Sequence, residues 1–290
     1  MNLAIIGADS THTENFAGII NRGLAGPGLR VTRLWGANPE QARAKALETG
    51  IDEVVDAPEQ AMQDVDAVLV LNRWGPDHFA PAMQAVDRGL PLFVDKPLCD
   101  DPQEAIALVQ AAATAGVPLL SASAVRYDRA VRRLIERLPD LGRTRSIMFT
   151  LPQIWQLYGV HAVDVMHAIF GVGAEDVTSI RGELADVVTI RWPDGRLGIA
   201  NQAREAWTGM ICVALGETGW THADMHLADT IDGFPRMYLE VIRQFLAMLN
   251  TGEPPISNQE MVDVIRVVAA AERSATSDSR RVPLSEMPAL

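Results

Sequence analysis

An apolar run at Leu92, Phe93 and Val94 ends abruptly in Asp95, Lys96 and Pro97. In an open parallel α/β sheet the carboxyl ends of strands are where ligands bind. A lysine placed there faces a cleft, where an ammonium can hold an oxygen atom and stabilise negative charge developing on it. Pro97 has no N–H to donate and stops the ladder. Asp101 can then cap a helix that has Pro102 at its first position and Glu104 in its first turn. The bland alternative is a solvated Asp–Lys pair at a strand end.

A second candidate lies at the start of the chain. Leu3–Ile6 reads as a short buried strand, and Phe16, Ile19 and Ile20 give an apolar helical face. Between them stand Gly7, Ala8, Asp9, Ser10, Thr11 and His12. A strand feeding a helix N-terminus offers N–H groups and a positive dipole end to a phosphate. The full dinucleotide fingerprint is G-x-G-x-x-G. Here Gly7 is its first glycine, while Asp9 and His12 occupy the other glycine positions. A plain turn capped by Asp9 or Ser10 is the alternative. The carboxylate that binds ribose hydroxyls of NAD normally follows about 20 residues later, at the end of the second strand. The stretch from Leu34 through Trp35, Gly36, Ala37 and Asn38 carries none, so both NAD and NADP stay open.

Asn72, Arg73 and Trp74, with Asp77 and His78 beyond them, follow another buried run, again at the ligand edge of a sheet. Arg73 suits an anionic group, and Trp74 suits the flank of a nicotinamide or a sugar. His161, Asp164 and His167 recur at a spacing of three, so they share one side of a helix. His222, Asp224 and His226 alternate along a presumed strand and share one face. Either trio resembles a metal set, but packed, capping or solvated roles account for them better, and no metal is assigned.

The elements that must position these groups follow from punctuation and periodicity. After Leu3–Ile6 come a strand at Arg30–Trp35, a helix at Pro39–Thr49 closed by Gly50, and short pieces at Val54 and Pro58–Gln63. Ala67–Leu71 is a strand, Pro76–Arg88 a helix, Leu92–Val94 the strand before Lys96, Pro102–Ala115 a helix and Val117–Ala122 a strand. Such alternation means a doubly wound parallel sheet. After about residue 121 the rhythm changes. Tyr127–Leu138 and Gly159–Phe170 read as helices, with a strand at Thr144–Thr150 between them. Strands follow at Val177–Arg181, Val187–Trp192, Leu197–Gln202, Met210–Leu215 and Trp220–His226. Met237–Leu249 and Gln259–Ser274 close the chain as helices. The expected class is α/β: a Rossmann-type domain over residues 1–121, then an α+β domain with an open, largely antiparallel sheet over residues 122–290.

The 290 residues are 48% hydrophobic and carry a formal net charge of -12. The length suggests roughly two domains. The acidic balance argues against nucleic-acid or membrane-surface binding, which needs a basic face. Cys99 and Cys212 match no metal or redox spacing and read as free thiols in a reducing compartment. The chain opens directly on a strand pattern, without the basic and apolar regions of a signal peptide, so a cytoplasmic protein is expected.

Three stretches together resemble the glucose-fructose oxidoreductase / inositol dehydrogenase / MocA (Gfo/Idh/MocA) family. GLPLFVDKPL at residues 89–98 is similar to the family's "aGkpVlvEKP", with Asp95 for Glu. YGVHAVD at residues 158–164, running on to Gly171, is similar to its "D-x-G-x-H-x-x-D…G" helix. The closing pattern runs from Phe245 through GEPPIS at 252–257 to Val282 and Leu284. The resemblance implies an oxidoreductase that moves a hydride between NAD or NADP and a sugar, polyol or cyclitol. It implies homodimers or homotetramers through the C-terminal sheet. By position Lys96 matches the lysine that contacts cofactor and substrate, and His161 the catalytic histidine, the general base at the alcohol. Asp164 matches the second carboxylate of that helix, and His78 a histidine that is structural or near the nicotinamide. Cofactor contacts are expected from Gly7 to His12, Gly36, Asn38, Asn72, Arg73, Trp74, His78, Asp95 and Lys96. Arg126, Tyr127, Gln153, Trp155 and Gln156 join Asp164 as expected substrate residues, Trp155 by stacking on a sugar face. Leu157 stands where the family often has Asp. That departure and the altered glycine turn also fit a non-redox sugar or nucleotide sensor, and the His222–His226 strand a metal-dependent lyase or hydrolase.

Overall fold

In the computed structural model the described residues are 1–206, 209–225 and 229–290. The chain enters on strand β1 (Asn2–Ile6) and helix α1 (Thr11–Asn21), followed by β2 (Arg30–Trp35), α2 (Pro39–Thr49), β3 (Glu53–Val54) and α3 (Pro58–Ala61). It continues with β4 (Ala67–Val70), a short 3-10 turn at Gly75–Asp77, α4 (Phe79–Asp87), β5 (Leu92–Val94), α5 (Pro102–Ala115) and β6 (Leu119–Leu120). Every strand pair in this sheet is parallel, in the order β3-β2-β1-β4-β5-β6. This is the Rossmann order, which reverses between β1 and β4 and opens a crevice beyond their carboxyl ends.

Local sequence explains the elements. β4 and β5 are buried along their whole length, as a sheet covered on both faces requires. Ser10 caps α1 by accepting the His12 N–H, and Asn38 caps α2 by accepting from Glu40 and Gln41. Gly50 ends α2 at φ 69°, a left-handed cap that glycine adopts without strain. The helix expected at Pro76–Arg88 begins later, at Phe79, because the chain first turns tightly through Gly75 and Pro76.

The second unit takes in residues 123–225 and 258–290, with the short segment 100–103. It opens with a 3-10 turn at Ala124–Tyr127 and continues through α6 (Arg129–Arg137), β7 (Ser146–Pro152) and α7 (Trp155–Phe170). The strands β8 (Asp176–Arg181), β9 (Ala185–Arg191), β10 (Leu197–Ala203), β11 (Met210–Leu215) and β12 (Trp220–Met225) follow. The chain then forms a small hairpin, β13 (Thr230–Ile231) and β14 (Phe234–Pro235), and helix α8 (Arg236–Thr251). Residues 229–257, within the stretch expected as the second domain, pack with the first unit. Tyr238 and Phe245 of α8 join Phe16 and Phe93 in one aromatic cluster, with ring centroids 5.4 to 6.2 Å apart. Gly18 of α1 admits the Phe234 ring, which a Cβ there would strike.

α9 (Asn258–Ala275) and β15 (Val282–Pro283) return to the second unit. Its sheet runs β12-β11-β7-β10-β9-β8-β15. Only the β7–β10 pair is parallel, so the sheet is the largely antiparallel one expected. β12 alternates exposed and buried residues strictly, as one covered face dictates. α7 starts four residues before the expected Gly159. The Trp155 ring lies over Gly159, where a Cβ would come within 2.6 Å of it, so this glycine sits inside a helix for packing rather than at its start. Among the described residues no helix is long and apolar enough to cross a membrane.

Candidate functional site

In the first unit the carboxyl edge of the sheet collects the predicted cofactor residues. Gly7 has φ +109°, and a Cβ on it would collide with the backbone of Leu71 and Asn72. No other residue fits both the angle and the space. The turn is held by the Thr13 hydroxyl donating to Gly7 O at 2.9 Å and by Lys45, which donates to Ser10 O and pairs with Glu14 at 2.5 Å. Gly36 has an equally local reason: a Cβ there would come within 2.5 Å of the Ala8 Cβ and 3.2 Å of the Ala42 Cβ. A carboxylate at this strand end is therefore replaced by close packing of the turn on β2.

The two residues at the other glycine positions are both engaged. The Asp9 carboxylate accepts the Arg73 N–H at 3.2 Å, tying the first turn to the loop after β4. His12 Nδ1 lies 2.5 Å from Asp95 Oδ2. His78 is fully buried, its ring nitrogens 2.6 Å from Pro97 O and 2.7 Å from Asn72 O, and it ties the loop after β4 to the loop after β5. The Lys96–Pro97 peptide bond is cis.

Electrostatics follow from this packing. Burial alone raises Asp95, but the charge and hydrogen bond of His12, with Lys96 and His78 behind them, outweigh it and hold Asp95 down to about 2. Lys96 is pushed below the ordinary lysine value, first by burial and then by Arg73, against the pull of Asp95. Beside this edge lies a cavity of about 420 Å³. Its lining includes Asp9, Asn38, Gln41, Asn72, Asp77 and Gln84, with Trp35 and three prolines, and contains no lysine or arginine. Trp74 is 45% exposed at the same edge.

In the second unit His161 and Asp164 of α7 meet residues from the turn after β6. Ser123 Oγ lies 2.6 Å from His161 Nδ1, and the Ser123 N–H donates to Asp164 Oδ2 at 2.9 Å. Arg126 donates to Asp164 Oδ1 at 2.9 Å and to Glu260 Oε1 of α9 at 2.5 Å. Burial pushes Asp164 up, against the pull of Arg126 and the Ser123 N–H. Tyr127 is pushed up by burial first and by the Asp164 charge next.

Three predicted substrate residues make contacts of their own within the second unit. Trp155 is 3% exposed and donates its indole N–H to Val268 O of α9 at 3.1 Å. It is a core residue, unavailable for stacking on a sugar, because α7 begins early enough to carry it inward. Gln156 donates to Glu272 at 3.0 Å, and Gln153 uses its backbone N–H on Ala206 O at φ 64°. The third member of the α7 trio, His167, turns to Asp263 at 3.4 Å and does not join His161. His222 and Asp224 are exposed on β12, and His226 lies outside the described residues. Among the described residues no group of three or more His, Cys, Asp or Glu is arranged to hold a metal. Sequence reasoning passed over Ser123 and Glu260, which follow no motif; each is recognisable only through its partner on α7 or the turn after β6.

Comparison with known proteins agrees with the fold. Residues 1–123 match the family model described as oxidoreductase family, NAD-binding Rossmann fold. Inositol 2-dehydrogenase of Burkholderia ambifaria is 31% identical over 169 residues, which are 52% of this chain and 49% of that protein. The chain thus spans about half, or less, of the length of the curated relatives it matches. A probable dehydrogenase from Thermotoga maritima superposes with a TM-score of 0.85 at 19% identity, over 99% of this chain and 100% of that one. Myo-inositol dehydrogenase from Lactobacillus casei, solved with NAD(H) and myo-inositol, gives a TM-score of 0.82 at 19% identity, over 98% and 96%. At these identities the superpositions speak for the fold. Residues 1–123 are thus similar to the NAD-binding Rossmann domain of that oxidoreductase family.

Proposed function

We propose that this protein is an NAD-dependent oxidoreductase acting on a ring hydroxyl of a cyclitol or a related polyol. One observation carries the reading: Gly7, the residue that lets the first turn pass against Asn72, stands at the N-terminus of α1 beside the 420 Å³ cavity. A backbone cradle that a Cβ would fill, set at a helix N-terminus, fits a pyrophosphate. Asp9 and His12 are each hydrogen-bonded within the unit, so neither stands as a bare group in the turn. The cavity favours NAD over NADP. Its amides and carboxylates suit adenine and ribose hydroxyls, and no cation in its lining would neutralise a 2′-phosphate.

When bound, the nicotinamide supplies the carbon that accepts a hydride from an alcohol carbon or returns it to a carbonyl. The first unit is assigned to the cofactor and the second, residues 123–225 and 258–290, to the substrate. Lys96 and His161 are each assigned a catalytic role. Burial pushes Lys96 below its ordinary value and so favours its neutral amine, which suits a group that exchanges a proton. Arg126 is neutralised by Asp164 and Glu260, which fits an uncharged polyol better than an acid. The relatives named as inositol dehydrogenases support the substrate class. A second copy of the chain is the partner assigned to the outward face of β7, β11 and β12, where Met148, Ile211, Leu215 and Trp220 are exposed. Trp220→Asp is expected to convert a dimer or tetramer to monomer in sedimentation.

The deciding experiment is titration with NADH and NADPH, followed by a screen of inositols and other polyols for nicotinamide reduction. Micromolar NADH affinity, NADPH binding weaker by about tenfold or more, and turnover of a cyclitol are expected. Failure of both nucleotides to bind at millimolar concentration overturns the reading.

A further inference from the structure

The hydroxyl of Ser123 meets Nδ1 of His161. A serine hydroxyl has one hydrogen to donate and two lone pairs to receive. The Val125 N–H donates into Ser123 Oγ at 3.1 Å, so that contact uses a lone pair and leaves the hydrogen to be placed. Ser123 has no exposed surface, which keeps bulk water from taking it. The remaining contact of Oγ among the described residues is His161 Nδ1 at 2.6 Å. If Nδ1 carried a proton, two hydrogens would compete for that short line, or the hydroxyl would be left buried without an acceptor, which is costly. The serine cannot swing away easily, because its own N–H is held by Asp164 and its Oγ caps the turn at Val125. One helical turn before His161 stands Leu157, which brings no competing hydrogen-bonding group.

We propose that Ser123 is a positioning residue that donates to His161 Nδ1 and fixes the neutral imidazole as its Nε2–H tautomer. Resting on the reading above, in which His161 has a catalytic role, this makes His161 a hydrogen-bond donor to the reacting oxygen. The sequence suggested the opposite, a histidine ready to accept the hydroxyl proton. A neutral imidazole with a proton already on Nε2 polarises a carbonyl oxygen but takes no proton from an alcohol there.

The test is a two-bond proton–nitrogen correlation spectrum of the full chain labelled with ¹⁵N-histidine, at a pH where the ring is neutral, with His161 assigned by its loss in His161→Gln. The expected spectrum places the proton on Nε2. Ser123→Ala is expected to move His161 toward the Nδ1–H form or a mixture, while Ser123→Thr, which keeps the hydroxyl, retains the parent pattern. The other histidine signals report whether the fold is intact. A parent spectrum with the proton on Nδ1 overturns the proposal, as does an unchanged tautomer in a folded Ser123→Ala. The parent spectrum alone decides should the alanine variant fail to fold. No cofactor or substrate is needed, so this outcome is independent of whether NADH binds.

Discussion

His12 Nδ1 and Asp95 Oδ2 lie 2.5 Å apart and join the first turn of α1 to the residue before Lys96. The contact spans 83 positions of sequence and puts a paired imidazole where the dinucleotide fingerprint has a glycine. His12 is also flanked by the Tyr238 ring at 4.9 Å, so α8 helps to hold it.

This pair makes stability depend on acid. Asp95 is held at about 2, below its ordinary 3.8. A carboxylate depressed in the folded state contributes stability that is complete above its unfolded value and disappears as pH falls through its folded value. The window therefore runs from about pH 4 down to about pH 2, and the shift corresponds to roughly 2 kcal/mol. Asp95→Asn is expected to lose about that much in urea unfolding near pH 6 and much less near pH 2. Equal destabilisation at both pH values would sink the charge explanation.

Gly36→Asp tests why the ribose carboxylate is missing. Sequence logic says the change should improve NAD binding. The structure says otherwise, since the new Cβ would press on Ala8 and Ala42. Overpacking of this kind costs about 1–3 kcal/mol. Thermal unfolding should show a lower midpoint, and NADH titration no gain in affinity.

Gly7→Ala should be more damaging to the cofactor than to the fold. The strained φ costs about 1–3 kcal/mol, and the methyl group meets the Asn72 backbone at the proposed pyrophosphate cradle. NADH affinity is expected to fall more than about tenfold in protein that circular dichroism still reports as folded. Undiminished affinity would remove Gly7 from the cradle.

Trp155→Ala separates a core residue from a substrate residue. Loss of a buried indole costs about 3–5 kcal/mol. Trp155→Phe keeps most of the volume and forfeits the bond to Val268 O, about 1 kcal/mol. Denaturant curves should show this order, with the Phe variant retaining the parent KM for the substrate that the polyol screen identifies. A raised KM with unchanged stability would return Trp155 to the substrate site.

Much of the first unit is legible in the chain itself. Glycine and proline punctuation and all-apolar runs mark the strands, so the position of Lys96 just past β5 follows from local residues. The glycine turn is legible for the same reason, because φ and close approach act through Gly7 alone. The helix boundary at Trp155 is not, since Gly159 looks like an end until the indole that covers it is known.

Residue types and their periodicity determined which segments are strands and helices, and which polar groups stand at strand ends. They do so because backbone preference and burial pattern are properties of neighbours in sequence. Tertiary structure alone decided that Ser123 meets His161, that Glu260 shares Arg126 with Asp164, and that Asp95 answers His12. These partners are 38 to 134 residues apart. A hydrogen bond is fixed by ångström-scale placement of two atoms, and for partners so distant only the packing of whole elements supplies it.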